Sequence, residues 1–273
     1  MGTAGDRVYL LGMGIDNIDA AGAIQRIDEY VREGSPHHVV TANLDFLRLG
    51  VHDASFLEMV NRAHMVVADG MPLVWSSRFL GDHLTERVAG VDLVKSCAAL
   101  CVSQGYRLFL LGAAPGVAGR AASRLRTLYP SLHVAGTYSP PRVGDPDDAK
   151  TIEIVRRAKP DILLVAFGAP RQETWIQRHM ESLQVPVSIG VGGTLDILAG
   201  RLNRAPSWMQ GAGLEWFYRF LQEPGRLWKR YFVQDLPTLV QLMNSVSLFA
   251  PTSVSSLPFS AVPDRVDVSL TRR

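Results

Sequence analysis

The clearest candidate for a catalytic group is Asp69, in the stretch MVVADGMPLVW (residues 65–75). An apolar run of strand length ends at this carboxylate, and Pro72 is typical of a helix start. A carboxylate that ends a buried strand is partly removed from water, which raises its pKa toward that of a usable base. The alternative is that Asp69 caps the helix expected to begin near Met71. The residues alone leave both roles open.

Small and polar residues end most of the other apolar runs as well. Thr41 and Asn43 follow the second run in VVTANLDFL, and the later runs end in FLLGAAPGVAG, GTYSPP, AFGAPRQE and GVGGTLDILAG. Ligands of open α/β sheets bind beyond the carboxyl ends of the strands, so these segments are expected to line a ligand site. Glycines there allow close backbone approach to a ligand, and helix N-termini can hold phosphate.

The best candidate for a phosphate-binding loop is GAAPGVAG (residues 112–119). It is not a complete G-x-G-x-x-G, and it lacks the Lys-Ser/Thr ending of a P-loop. LLGMGIDN (residues 10–17) begins like a dinucleotide fingerprint, but Asn17 stands where the third Gly belongs. No acid closes the second strand where a nicotinamide enzyme would bind ribose. Together these segments favour an unspecified nucleotide over plain turns.

Arg87, in TERVAGVDL, precedes a predicted helix. A lone Arg is normally solvated or ion-paired at the surface. If it lies near the same crevice, its planar guanidinium can instead hold a phosphate through two parallel hydrogen bonds.

Patterns for metal binding are weak. Asp145 and Asp147 form an Asp-x-Asp, which can hold a divalent ion with a nucleotide diphosphate, but Asp147 is well placed as a helix N-cap. Cys97 and Cys101 fall on one face of a helical pattern, where buried thiols act as core residues. The seven His residues show no metal-ligand spacing. No metal site is predicted.

The candidate residues are carried by strands that alternate with helices. Strands are predicted at residues 8–12, 38–41, 65–68, 107–111, 133–137, 162–167 and 187–191, and helices at 55–63, 91–103, 116–129, 147–158 and 172–183. Most strands lack polar alternation, as expected when helices cover both faces of a parallel sheet. Residues 1–200 are therefore predicted to form a doubly wound α/β domain with a mostly parallel sheet.

The composition changes after Gly200, in a segment we call the appendage (residues 201–249). Two or three helices, broken at residues 211–213 and 223–225, are expected there. Its aromatic residues interleave with basic ones, as in helices at lipid interfaces: Trp216, Phe217, Phe220, Trp228, Tyr231 and Phe232 with Arg219, Arg226, Lys229 and Arg230. Alternatively, these aromatics pack on the α/β domain or on a neighbouring subunit. Residues 250–273 are predicted to be a disordered tail.

The overall composition excludes several classes of protein. The 273 residues are 47% hydrophobic and 20% charged, with a net charge of +2, so a nucleic-acid partner is not indicated. No apolar run approaches the roughly 18 residues that span a bilayer. The N-terminus lacks the basic and apolar regions of a secretory signal. We therefore expect a cytoplasmic protein.

Eight motifs together resemble the WecG/TagA/CpsF family, glycosyltransferase family 26 of bacterial cell-surface polysaccharide synthesis. Over about residues 8–235 they are TANLDFL, ADGMPLVW, ERVAGVDL, FLLGAAPGVA, GTYSPP, AFGAPRQETW, VGGTLDILAG and RAPSWMQGAGLEWFYRFLQEPGRLWKRY. The resemblance implies a Rossmann-like α/β domain with a C-terminal helical appendage. It also implies transfer of N-acetylmannosamine, a uronic acid or a hexose from a UDP-sugar to an undecaprenyl-diphosphate-linked glycolipid. The transfer would be inverting and would need neither metal nor other cofactor. The enzyme would be a homo-oligomer, peripherally associated with the inner face of the cell membrane.

Carried onto this chain, the resemblance assigns a role to each matching residue. Asp69 matches the general base that removes the proton of the acceptor hydroxyl, and Thr41 and Asn43 match the polar pair in its pocket. Arg87 and Gln172 match residues near the diphosphate and the reacting sugar. The remaining matches surround the nucleotide or meet a diphosphate: Gly112, Tyr138, Asp196, Arg219, Arg226, and Lys229 or Arg230.

Two alternative functions remain on the residues alone. A nucleotide-dependent oxidoreductase is disfavoured by the missing third Gly and the missing ribose-binding acid. A non-enzymatic assembly protein would use the basic, aromatic segment of the appendage to dock on a membrane surface.

Overall fold

The computed structural model describes residues 7–142 and 147–248. The strands are β1 (Arg7–Leu10), β2 (Met13–Asp16), β3 (His37–Ala42), β4 (Met65–Ala68), β5 (Leu108–Gly112), β6 (Val134–Tyr138), β7 (Ile162–Ala166) and β8 (Val187–Gly190). The helices of the α/β part are α1 (Ala20–Glu33), α2 (Leu44–His52), α3 (Ala54–Asn61), α4 (Met71–Phe79), α5 (Gly90–Gln104), α6 (Val117–Leu128), α7 (Asp147–Ala158), α8 (Arg171–Leu183) and α9 (Thr194–Leu198). Asp145 and the predicted tail at residues 250–273 lie outside the described residues.

Strands β3 to β8 form one sheet in the order β4-β3-β8-β7-β5-β6, and every neighbouring pair is parallel. Helices α1, α5, α6 and α9 bury apolar residues on one face of the sheet. Helices α2, α3, α4, α7 and α8 cover the other face. The predicted Rossmann-like, doubly wound α/β fold with a helical C-terminal part is confirmed.

The apolar runs are continuous because both sheet faces are covered. In β5, Leu108 and Leu110 point into the cluster beneath α1, α5 and α6, whereas Phe109 and Leu111 point toward α7 and α8. Successive side chains of a strand project to opposite faces, so a strand buried on both sides needs apolar residues at every position. This accounts for the missing polar alternation in the sequence.

The strand predicted at residues 8–12 does not join the parallel sheet. It forms β1, which pairs with β2 in an antiparallel hairpin. Leu11 and Gly12 connect the two strands with φ of 48° and 83°, the positive values that a tight hairpin turn requires. LLGMGIDN is therefore a hairpin and not the strand-to-helix turn of a dinucleotide site. The hairpin lies beside edge strand β4, where the Asp16 carboxylate accepts a hydrogen bond from the Val66 amide at 2.7 Å.

The appendage consists of α10 (Ser207–Gly211), α11 (Glu215–Gln222), α12 (Pro224–Trp228), a π-helical segment (Lys229–Asp235) and α13 (Leu236–Leu248). Both predicted breaks are present, because α10 ends at Gly211 and α12 begins at Pro224. The appendage shares a core with the α/β part: Leu242 of α13 is fully buried in the cluster formed by the hairpin and α2 to α4. Within the described ranges, no helix is both long enough and apolar enough to cross a membrane.

The order of the strands creates crevices on both sides of β8. The helices that follow its neighbours β3 and β7 (α2 and α8) pack on one face of the sheet, whereas α9, which follows β8, packs on the other. Where successive connections diverge in this way, the carboxyl ends of the strands border an open crevice that commonly binds ligands. The segments after β3, β8 and β7 meet at these crevices.

Candidate active site

Asp69 follows β4 directly, at the carboxyl edge of the sheet. Its backbone amide donates to the Ala42 carbonyl oxygen at 2.6 Å, which extends the pairing of β3 and β4 by one residue. The N-cap of α4 is Gly70, and no side chain of the described residues makes a capping hydrogen bond to this helix. Asp69 therefore does not cap the helix that begins at Met71, and that alternative is wrong.

The environment of the Asp69 carboxyl group makes it more basic than an ordinary aspartate. Burial is the main cause, and it raises the pKa to about 6 although the side chain keeps partial exposure. A hydrogen bond from the Gly90 amide and the charge of Arg87 act in the opposite direction, while the charges of Glu215 and Asp92 raise the pKa further. At neutral pH the group is ionised but remains basic enough to accept a proton.

The Thr194 hydroxyl and the Asp69 carboxylate both lie close to Gly90, the first residue of α5. A Cβ atom on Gly90 would lie 3.0 Å from Thr194 Oγ1 and 3.3 Å from Asp69 Oδ2. The two side chains therefore converge on the start of α5, and Gly90 leaves the space between them. Thr194 has no strong local sequence signal: within GVGGTLDILAG it is marked only by its position after two glycines at a strand end.

Thr41 and Asn43 lie at the same edge of the sheet, where both make hydrogen bonds within the fold. The buried Thr41 hydroxyl donates to the Gly190 carbonyl oxygen at 2.8 Å, which links β3 to β8 at their carboxyl ends. Asn43 caps α2 by accepting a hydrogen bond from the Asp45 amide at 3.0 Å. Their expected place near Asp69 agrees with this geometry, and their contact with a substrate stays a prediction.

Gln172 connects the turns that follow β7 and β8. Its buried Oε1 accepts hydrogen bonds from the Gly168 amide at 3.1 Å and the Gly192 amide at 3.0 Å. Its Nε2 donates to Glu173 Oε1 at 2.7 Å. Since each of these polar atoms already has a partner inside the protein, Gln172 shapes the crevice beside β8 through the backbone of these two turns.

Glu173 is a fully buried acid with no local sequence pattern that predicts its burial. Burial raises its pKa to about 8, so the carboxyl group is predominantly neutral at pH 7. Its Oε2 has no hydrogen-bond partner among the described residues. The adjoining position of β8 favours glycine, because a Cβ atom on Gly190 would overlap Glu173 Oε1 and lie 2.7 Å from Gln172 Nε2.

Arg87 belongs to a chain of ion pairs that connects the α/β part to the appendage. Its Nη1 donates to Glu215 Oε2 at 2.9 Å, and Arg204 Nε lies 3.4 Å from Glu215 Oε1. Arg204 also binds Asp92 through both Nη atoms, at 2.6 and 2.5 Å. Arg87 is thus near Asp69, as expected, but one edge of its guanidinium is occupied by a carboxylate of the appendage.

Arg219 reaches the crevice from the appendage. One of its guanidinium nitrogens, Nη2, lies 3.1 Å from the position that a Cβ atom of Gly193 would occupy, directly before Thr194. Glu223 accepts hydrogen bonds from Arg219 Nε at 2.9 Å and from Arg226 Nη2 at 2.7 Å. The acid therefore holds the two arginines together and leaves the Nη side of Arg219 directed at the turn after β8.

Lys229 and Arg230, the two candidates for a third basic residue of the appendage after Arg219 and Arg226, differ in their surroundings. Arg230 pairs with Asp45 at 3.2 Å and with Asp235 at 3.6 Å. Burial, with the nearby Asp45 charge, raises the pKa of Asp235 to about 6. Lys229 is exposed. In this arrangement Arg230 connects the π-helical segment to α2, whereas Lys229 is accessible to a ligand.

The remaining predicted residues make no hydrogen bond or ion pair with Asp69 among the described residues. Gly112 ends β5, which lies four strand positions from β4, or about 19 Å at the usual strand spacing. Its φ of 99° and the Ala166 carbonyl oxygen, 2.8 Å from where a Cβ would be, both require glycine. Tyr138 ends the neighbouring strand β6 and is partly exposed. The Asp196 carboxylate pairs with Arg201 at 3.1 Å.

The described residues contain no group of three or more His, Cys, Asp or Glu side chains placed to hold a metal ion. Asp145 lies outside those residues, and so does the side chain of Asp147. Cys97 and Cys101 are free, buried thiols in the core between α5 and the sheet, as expected from their spacing. Burial raises the pKa of the Cys101 thiol to about 12, which keeps it protonated.

Comparison with known proteins finds similarity over most of the chain. A sequence model of the "Glycosyl transferase WecG/TagA/CpsF family" matches residues 8–249. A Staphylococcus aureus (strain MW2) protein named N-acetylglucosaminyldiphosphoundecaprenol N-acetyl-beta-D-mannosaminyltransferase is 31% identical over 226 residues, which are 82% of this chain and 86% of that protein. A Bacillus subtilis (strain 168) protein of the same name is 34% identical over 192 residues, 70% of this chain and 73% of that protein. The family match includes every helix of the appendage.

Gly190→Ala should destabilise the protein by about 1–3 kcal/mol, because the new methyl group overlaps buried polar atoms of Gln172 and Glu173 that cannot move into solvent. Gly119→Ala is the matched control: it lies in α6, and its Cβ would meet nothing within 4 Å. That change should add about 0.5 kcal/mol through helix propensity. Urea unfolding measures both, and an equal effect of the two substitutions would contradict the close packing at Gly190.

Asp69→Asn should stabilise the protein at pH 7.5 by on the order of 1–3 kcal/mol. The folded-state pKa of about 6 exceeds the ordinary value of 3.8, so ionisation of Asp69 costs stability. The stability contributed by the neutral Asp69 carboxyl group is complete below about pH 4 and is lost as the pH rises through about 6. The difference between variant and wild type should therefore vanish near pH 4 in urea titrations. A difference that does not depend on pH would contradict the shift.

Proposed function

The chain belongs to the glycosyl transferase WecG/TagA/CpsF family, and on that premise we propose that it transfers N-acetylmannosamine from a UDP donor to an undecaprenyl-diphosphate-linked N-acetylglucosamine. Membership makes the protein a glycosyltransferase and removes the oxidoreductase alternative. The names of the S. aureus and B. subtilis relatives support this donor sugar and acceptor above a uronic acid or a hexose. The structural observation that carries the proposal is a basic carboxylate, Asp69, at the same sheet edge as Arg87 and Arg219.

The chemistry of an inverting transfer accounts for this arrangement. Asp69 takes the proton of the acceptor hydroxyl as its oxygen attacks the anomeric carbon, and the bond from that carbon to the UDP oxygen breaks on the opposite face. A base with a pKa near 6 is ionised at neutral pH and strong enough to assist this step. Thr194 is placed to orient the acceptor hydroxyl, since its own hydroxyl converges with Asp69 on Gly90.

The departing UDP gains negative charge that the enzyme must stabilise. We assign this task to Arg87 and Arg219, with Arg226 and Lys229 supplying further positive charge, and to no metal ion. Glu215 and Glu223 each accept a hydrogen bond from one nitrogen of these guanidinium groups, and the remaining N–H groups can bind diphosphate oxygens. The loop from Gly112 and the neighbouring Tyr138, farther along the sheet edge, would receive the rest of the nucleotide.

We also propose that the appendage associates with the inner face of the cell membrane. Its aromatic rings contact one another, as Trp228 does with Phe232 at 4.6 Å between ring centroids. They nevertheless leave a large apolar surface in water: Trp228 and Val233 are each 57% exposed, and Leu221 is 58% exposed. Exposed aromatics beside Lys229 and Arg226 are typical of helices that lie at a lipid interface. Such contact would bring the acceptor's diphosphate to the arginines. Homo-oligomer formation stays a prediction.

The decisive experiment compares Asp69→Asn with wild type in transfer from UDP-N-acetylmannosamine to a short-chain prenyl-diphosphate N-acetylglucosamine, in EDTA. Loss of a general base should lower turnover by about 10²–10⁴-fold, while UDP affinity changes by less than about twofold. Wild-type turnover should rise as the pH increases through about 6 and level off above it, because only the ionised carboxylate accepts a proton.

Asp82→Asn, at an exposed loop carboxylate, is the control and should keep full turnover. Equal losses of turnover and UDP affinity in Asp69→Asn would show a structural role. Wild-type protein that transfers no sugar from any UDP donor would overturn the proposed function, and activity that requires an added metal ion would overturn its metal independence.

The double substitution Trp228→Glu and Val233→Glu should reduce co-sedimentation with anionic liposomes several-fold, because both exposed side chains would exchange apolar contact with lipid for repelled charge. Leu128→Glu, at a side chain of α6 that is 58% exposed, should leave sedimentation unchanged. UDP affinity should be the same in all variants. If the double variant sediments like wild type, the aromatic surface does not contact lipid.

A further inference from the structure

The appendage contributes an acid, Glu215, to the site as well as basic residues. Its Oε2 accepts a hydrogen bond from Arg87 Nη1 at 2.9 Å, and both side chains are largely buried, with exposed fractions of 22% and 15%. Arg87 is also one of the charges that lower the pKa of Asp69. Glu215 therefore binds the cation whose charge has the largest effect on the pKa of the proposed base.

The backbone places Glu215 at this position by close packing. Glu215 is the first residue of α11, and the chain reaches it through Gly213, whose φ is 73°. A Cβ atom on Gly213 would lie 2.5 Å from Trp75 Cζ2 and 2.8 Å from Met71 Cγ, so the turn rests directly on α4, the helix that follows Asp69. Gly213 therefore lets the chain pass close to α4, and this places the first residue of α11 beside the site.

A second pair anchors the same segment independently of Glu215. Arg204 binds the Asp92 carboxylate through two hydrogen bonds, and its contact with Glu215 is longer, at 3.4 Å. Neutralising Glu215 therefore leaves the Arg204–Asp92 pair and the Gly213 contacts in place. A substitution at Glu215 can be examined without detaching the appendage.

The role of Glu215 follows from the charged groups near Asp69. They are Arg87, Glu215 and Asp92, with Arg204 balancing the two acids. Within the described part of the chain, Glu215 is the only hydrogen-bond acceptor of the Arg87 guanidinium. Besides Glu215, the Arg87 charge lowers the pKa of two carboxylates, Asp69 and Asp92. Arg204 already binds Asp92 through two hydrogen bonds, so Asp69 is the acid that Arg87 could pair with if Glu215 lost its charge. A direct ion pair between Arg87 and Asp69 would stabilise the ionised form of Asp69 and weaken it as a base.

We propose that Glu215 is a positioning residue that holds Arg87 away from a direct ion pair with Asp69. Asp69 then stays free to accept the proton of the acceptor hydroxyl, and the remaining N–H groups of Arg87 stay available to the leaving diphosphate. This inference rests on the proposed function. In this arrangement the site is complete only when α11 packs on the α/β part, because the acid that pairs with Arg87 comes from the appendage.

The test is Glu215→Gln, which keeps the shape of the side chain and removes its charge. The Asp69 carboxyl carbon is followed by ¹³C NMR and identified by its loss in Asp69→Asn. Its titration midpoint, about 6 in wild type, should move to lower pH in Glu215→Gln. The acidic limb of the turnover profile should move in the same direction, and turnover at pH 7 should fall by about 10- to 100-fold. UDP affinity should change much less than turnover.

Two further variants control for indirect effects. Glu215→Asp keeps the charge and should retain most of the wild-type midpoint. Glu153→Gln removes an exposed carboxylate paired with Arg157 and should change neither midpoint nor turnover.

A midpoint in Glu215→Gln that stays the same or moves to higher pH would overturn the inference, even if the variant is less stable or less active. The NMR titration needs no sugar transfer. Wild-type protein that fails to transfer sugar would therefore overturn the proposed function while the role of Glu215 could still be measured.

Discussion

The site depends on keeping one carboxylate partly out of water without pairing it directly with a cation. Asp69 stands where β4 ends, and burial there raises its pKa to about 6. The Gly90 backbone amide hydrogen-bonds the carboxylate, and Arg87 is bound by Glu215. A direct ion pair would lower the pKa of Asp69 and make it a weak base, whereas deeper burial would leave it protonated, as Glu173 predominantly is at neutral pH.

Close backbone packing determines the shape of the crevice. Gly90, Gly190 and Gly213 each occupy a position where a Cβ atom would come within 3.0 Å of another group. Gln172 joins the turns after β7 and β8 through two backbone amides, and Thr41 joins β3 to β8. These contacts place rigid parallel strands, and not flexible loops, behind the proposed catalytic groups, which favours the fixed distances that a transfer reaction needs.

Much of this architecture could be predicted from the residues. Six of the seven predicted strands form the parallel sheet, and β4 and α7 have the predicted bounds. The failure at residues 8–12 has a physical cause: an apolar run of strand length does not indicate its partner. The positive φ of Leu11 turned this strand into a hairpin that covers the edge of the sheet beside β4. Asp69 was identified correctly as a strand-end acid, but its helix-capping alternative failed because Gly70 caps α4.

The sequence by itself determined the order of strands and helices, the strand-end position of Asp69, and the basic, aromatic character of the appendage, because these follow from local periodicity and residue type. Only the tertiary structure decided which charges face each other. The partners Arg87 and Glu215 are 128 residues apart, and Thr194 approaches Asp69 only because β8 lies beside β3 in the sheet. Pairing between distant residues depends on strand order and on how the appendage packs, and neither leaves a local pattern in the chain.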